Sequence, residues 1–174
     1  NGLGVLRYDI LNDTWLAPWD STTNLLDSNG VTALVQDINP SRIWVGGDMG
    51  LNLIDVGTAT LVVDWGDGGN SGGINLPQSS PAELVIIGDT MHYSMVRNGW
   101  DSNDYIYRYD IVNLTQKSTI DAGASEGYTA FVHGIGAVDD VLHIGISPTQ
   151  WWNGDGHLVM WDATTEQWLQ SVES

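Results

Sequence analysis

Cysteine is absent from the 174 residues, and basic side chains nearly so: 5 Lys and Arg stand against 22 Asp and Glu, a formal net charge of −17. Without Cys there is no disulfide framework, no thiolate metal site and no cysteine nucleophile. A field of that sign repels phosphate backbones and anionic lipid, so neither nucleic acid nor a membrane surface is an expected partner. It suits a saline setting, where counterions screen self-repulsion, and equally a generic acidic exported protein. No apolar run approaches the ~18 residues needed to cross a bilayer as a helix. Helical periodicity is missing, as are Walker loops, HExxH stretches and nucleophile elbows. The chain begins at Asn1 with no initiating Met and no basic, apolar leader. It reads as a mature or excised piece of a longer prokaryotic protein, secreted, periplasmic or on the cell surface.

What is present is repetition. RYDILNDTW (7 to 15) returns as RYDIVNLTQ (108 to 116), with looser copies in NLIDVGTATL and VMWDATTEQW. The shared Asp9, Asp55, Asp110 and Asp162 follow one another at intervals of 46, 55 and 52 residues. Each closes a short apolar strand and precedes an Asn, Gly or Thr turn, where a carboxylate can bond its own backbone. Each copy is therefore read as a β-hairpin. A second hairpin precedes each later copy: 31 to 47, 82 to 96 and 131 to 146. Two hairpins in about 50 residues make four antiparallel strands per repeat, the period and strand count of a propeller blade. With a hydrophobic fraction of 42 % the chain can build a core.

The expected fold is an all-β propeller of four-stranded antiparallel blades, over a single region 1–174. A partial blade spans 1–26, and blades lie at about 27–72, 79–122 and 127–174. Three and a half blades fall short of the usual ring of about 4 to 8, so the flank is open to the rest of a longer protein, to another copy or to a partner.

LLDSNGVTALVQDINPSRIWVGGDMGLNLID (25 to 55) resembles the propeller repeat of two-component-regulator sensor regions. That pattern runs from Leu through an apolar strand and an Asp turn to Trp-apolar-Gly, then Gly-Leu and an Asp hairpin. Tyr8-x6-Trp15, Trp161-x6-Trp168 and the pair Gly46-Gly47 resemble kelch repeats. Trp44 gives way to His92 and His143 at the equivalent strand position, and the double Gly occurs once in strand context. The regulator resemblance implies ligand sensing.

With strands lettered A to D in each repeat, the B–C loops and D–A connections share one face. They bring together Trp19, Trp65, Trp100, Trp151 and Trp152 with Asp20, Asp48, Asp67, Asp101, Asp104 and Asp155. An indole packs on the apolar face of a pyranose while carboxylates and amides take its hydroxyls. The expected function is non-catalytic recognition of a polysaccharide or other glycan, or of a protein, by Trp100, Asp101, Asp104, Trp151, Trp152, Asp155 and Asp48. The plainer alternative is that the Trp side chains fold back and cap blade ends. A glycoside hydrolase or lyase with converging carboxylates is another alternative, as is a purely structural or assembly module that self-associates through its open flank. DWGDGGNSGG (64 to 73) offers Asp64, Asp67 and Asn70 as oxygen ligands for Ca²⁺, or else is a Gly-rich linker. His92 and His143, fixed by repeat register, are read as packing residues before ligands. Trp15, Trp44, Trp161 and Trp168 are expected in the core. Asn12 and Asn113 open glycosylation sequons at one place in the repeat, where turn chemistry accounts for them.

Overall fold

A computed structural model describes residues 2–26, 28–48, 50–66, 81–95, 105–124, 126–127, 129–148 and 156–169. The chain divides into two compact units, Asn1–Pro81 and Ala82–Ser174. In the first, β1 (Val5–Asp9) pairs antiparallel with β2 (Thr14–Trp19). A four-stranded meander follows: β3 (Val31–Gln36), β4 (Arg42–Gly47), β5 (Gly50–Asp55) and β6 (Thr60–Gly66).

The second unit holds β7 (Pro81–Ile87), which begins on the last residue of the first, β8 (Thr90–Met95), β9 (Tyr105–Asp110), β10 (Thr115–Gln116) and β11 (Ile120–Asp121). Its other sheet is β12 (Ala130–Val138), β13 (Val141–Pro148), β14 (His157–Asp162) and β15 (Gln167–Trp168). Both β10 and β11 lie along β9, one against Tyr109 and Asp110, the other against Tyr105 and Ile106. Together they form one outer strand broken by a register slip, so this sheet too is a four-stranded repeat.

The echoed phrase folds as expected. Asp9 Oδ1 accepts from the Leu11 and Asn12 N–H groups, Asp110 Oδ1 from Val112 and Asn113, and Asp162 Oδ1 from Thr164 and Thr165. Asp55 accepts from the Thr58 N–H and hydroxyl. These bonds hold all four carboxyls below the usual range, led by the Asn12 side chain at Asp9 and by the Thr58, Asn113 and Thr165 backbones at the others. Four residues after each Asp the backbone turns left-handed, at Asp13, Ala59, Leu114 and Glu166 (φ 51 to 56°). The two sequons fall in two of these turns, beside Asp13 and Leu114.

In the three full sheets a second bond ties the hairpins together. The N–H after the conserved Asp donates to the A–B turn: Val56 to Ser41, Ile111 to Asp89 and Ala163 to Asp140, at 2.8 to 2.9 Å. Each unit has its own core. Val5, Trp19, Leu25, Leu26, Val45 and Ile54 form one cluster in the first. In the second, Ile87, Ile106 and Ile120 of one sheet meet Leu142, Ile144, Ile146 and Val159 of the other.

Candidate functional site

The predicted ligand face is reached only in part. Trp100, Asp101, Asp104, Trp151, Trp152 and Asp155 lie outside the described residues, as do Asp67 and Asn70 of the expected Ca²⁺ loop. Asp48 sits in the turn between β4 and β5, its N–H donating to the Gly30 carbonyl at 2.9 Å. Its carboxylate packs against Gly30, where a Cβ would fall 1.8 Å from Oδ2 as placed. Asp64 lies within β6, where Oδ1 is 3.5 Å from Asn52 Nδ2. Among the described residues no three His, Asp or Glu side chains gather as metal ligands. Trp19 and Trp65 are strand residues exposed by only 3 % and 1 %. Both are buried, with Trp65 against Trp44 (centroids 4.7 Å apart) and Arg7 over the Trp19 ring at 4.4 Å. Asp20 is likewise occupied, capping the 3₁₀ turn Ser21–Thr23 through the Thr22 and Thr23 N–H groups.

Trp15 corrects an expectation. Its repeat position predicts core, and the related Trp44 is fully buried while Trp161 and Trp168 are half-buried against the second unit's cluster. Trp15 is 68 % exposed. It meets Tyr8 edge-on, centroids 5.0 Å apart, just as Trp161 meets Trp168 at 5.1 Å. The local geometry is thus the same, and what differs is cover. Trp161 and Trp168 lie on a cluster that includes the preceding sheet, whereas among the described residues of β1–β2 it is Val5 and Trp19 that join a core cluster. Leu6, Ile10, Leu11 and Leu16 join Tyr8 and Trp15 among the exposed large apolar residues.

A second feature was not foreseen. In β8 and β9, His92 and Arg108 are Cα partners and both are buried. His92 is a packing residue, as its repeat position predicts. Burial, with the Arg108 charge opposite, pushes its pKa down to about 4. It is therefore neutral at ordinary pH. Arg108 Nη2 pairs with the Glu166 carboxylate from the β14–β15 turn. Lys117 Nζ donates to Thr90 Oγ1 at 2.5 Å and lies 3.5 Å from Asp89 Oδ1. The available sequence signal was scarcity: two of only five cationic residues fall nine positions apart, at 108 and 117.

No protein-family model matches the chain, and no curated protein does. Among solved structures it is similar to U3-55K, at 13 % identity and a TM-score of 0.58 over 83 % of this chain and 39 % of that one. It is also similar to the Myceliophteria thermophila Cps50 (Swd1) β-propeller domain, at 13 % identity and a TM-score of 0.54 over 92 % of this chain and 48 % of that one. The chain thus spans less than half the length of these structures. With three four-stranded antiparallel sheets and a two-stranded one in its described residues, its fold is that of an incomplete set of β-propeller blades.

Proposed function

We propose that this chain is a non-catalytic recognition module, and that the uncovered face of the β1–β2 hairpin is where it joins a protein partner. One internal comparison carries the reading. Arg-Tyr-Asp-Ile occurs twice at the same place in the repeat, yet Tyr8 is 44 % and Ile10 85 % exposed, whereas Tyr109 is fully buried and Ile111 is 8 % exposed. Identical residues in identical turns make cover, not composition, the variable. Around the second copy the cover is β8 along the edge of β9 and the Asp89 carbonyl on the Ile111 N–H.

A partner suited to β1 therefore presents an extended strand or hairpin with apolar side chains, adding to the sheet edge. Full burial of an apolar side chain of this size contributes about 1.5–3 kcal/mol before the costs of association. Another copy of the chain is the partner to test first. Sedimentation velocity over a wide concentration range, on wild type and on Tyr8→Ser/Trp15→Ser, tests it. Association in wild type that is lost in the variant is expected, and a wild type that stays monomeric throughout removes the second copy as partner.

A glycan is the second ligand class, favoured by the sequence of the B–C loops, where Trp100 adjoins Asp101 and Asp104, and Trp151–Trp152 precede Asp155. The acidic balance suits this role in an exported protein of a saline environment. Trp19 and Trp65, being buried, take no part. Titration of intrinsic fluorescence with polysaccharides, with and without Ca²⁺, tests it. A saturable shift lost in Trp151→Ala supports the glycan, a Ca²⁺ requirement brings in Asp64, Asp67 and Asn70, and no response to any polysaccharide removes it.

A further inference from the structure

The second unit contains a polar cavity of about 220 Å³ where its A–B and C–D turns gather. Asp89, Thr90, His92, Arg108, Lys117 and Asp140 are among its lining residues. Two of the five cationic side chains of a protein with net charge −17 thus face one small space.

Arg108 is a buried cation whose donors are incompletely met. Its side chain is 4 % exposed, its Nε–H has no partner, and Nη1 reaches Ser118 Oγ only at 3.5 Å. A guanidinium out of water with unmet donors is costly unless an anion sits on it. The anion it has is the Glu166 carboxylate, and that side chain is 55 % exposed. The neutralising charge therefore comes from a solvent-facing group on a turn, not from an acid packed into the core.

The shape and charge of the space select the ligand. A guanidinium fork matches the two oxygens of a carboxylate, and Lys117 adds a point charge on the same space. Asp89 and Asp140 at the lining oppose a second negative charge on the ligand, which disfavours phosphate.

We propose that this cavity binds a small carboxylate on Arg108 and Lys117, and that Glu166, which pairs with Arg108 from outside the lining, competes with that ligand for the guanidinium.

The test uses acetate as probe and chloride as control at fixed ionic strength, read at the Arg108 Nε–H resonance by ¹⁵N NMR. Wild type is expected to show a weak, saturable shift with acetate and none with chloride. Glu166→Gln removes the internal competitor, keeps the side chain's shape, and should tighten acetate about ten-fold, the value of one charge-assisted contact. Lys117→Gln, at a partly exposed position, should weaken it by a similar factor. An unmoved Arg108 resonance in wild type overturns the proposal, whether or not the variants fold. So does equal response to chloride, or a Glu166→Gln protein that binds acetate no better than wild type. None of these outcomes depends on β1–β2 or on the B–C loops.

Discussion

Four left-handed turn residues provide a controlled experiment. Asp13, Ala59, Leu114 and Glu166 occupy the same place in the repeat with φ between 51 and 56°. For an L-residue this region costs roughly 1–2 kcal/mol, while Gly adopts it freely but loses roughly 0.5–1 kcal/mol more in chain entropy on folding. At Ala59, an exposed methyl in the turn after Asp55, Ala59→Gly should therefore stabilise by about 0.5–1 kcal/mol. That corresponds to a rise in melting temperature of roughly 2–4 °C per kcal/mol for a chain of this size. Glu166→Gly relieves the same strain but strips Arg108 of its carboxylate. An unpaired buried donor costs about 1–3 kcal/mol, more when charged, so the net effect should be a loss of about 1–2 kcal/mol. Thermal unfolding followed by circular dichroism separates the two variants. Equal melting temperatures for Ala59→Gly and Glu166→Gly would refute the reasoning, because they would mean that the Arg108–Glu166 pair adds nothing beyond its turn.

Other outcomes follow from the same geometry. His92 is held neutral by burial, so its folded pKa of about 4 lies below the ordinary 6.5. The unfolded chain then binds the extra proton first, and stability should fall as pH drops from 6.5 towards 4, by up to about 3 kcal/mol at the lower end. His92→Leu should flatten that slope in urea titrations at stepped pH, leaving the steeper loss below the usual carboxylate range, where Asp9, Asp55, Asp110 and Asp162 are protonated. Gly4 has φ +74° and a Cβ there would lie 2.1 Å from the Trp19 carbonyl. Gly4→Ala should accordingly open the β1–β2 hairpin, read as faster hydrogen exchange in residues 5 to 19 with the second unit unchanged. Asp162→Ala removes the acceptor of two turn N–H groups and should cost about 1 kcal/mol in thermal unfolding.

The hairpins were legible in the sequence because the chemistry that makes them is local. An Asp that bonds the N–H groups two and three residues ahead writes the same short phrase wherever the turn is needed. The slots of Trp44 and His92 were legible for the same reason, being set by register within one sheet. Exposure was not, because it depends on which sheet stands against a strand. Arg7 and Arg108 open the same tetrapeptide, yet Arg7 donates to the Ala17 carbonyl and covers Trp19, while Arg108 enters a cavity between two sheets. Nothing within the shared tetrapeptide distinguishes them. Trp15 was misplaced on the same ground, its periodicity being that of a core residue with no sheet to complete the core.

In the three full sheets every described strand pairs with a neighbour in sequence, save that β11 continues β10 along β9, and no strand is inserted between two formed earlier. Such a meander closes only short loops, which lowers the entropic barrier that makes most all-β proteins slow to fold. Each sheet can assemble from the residues already synthesised, with the turn-to-turn bond at Val56, Ile111 or Ala163 formed only when its second hairpin is complete. The chain is thus suited to growth one blade at a time, and duplication of a single segment of about fifty residues lengthens it without requiring any existing strand to find a new neighbour.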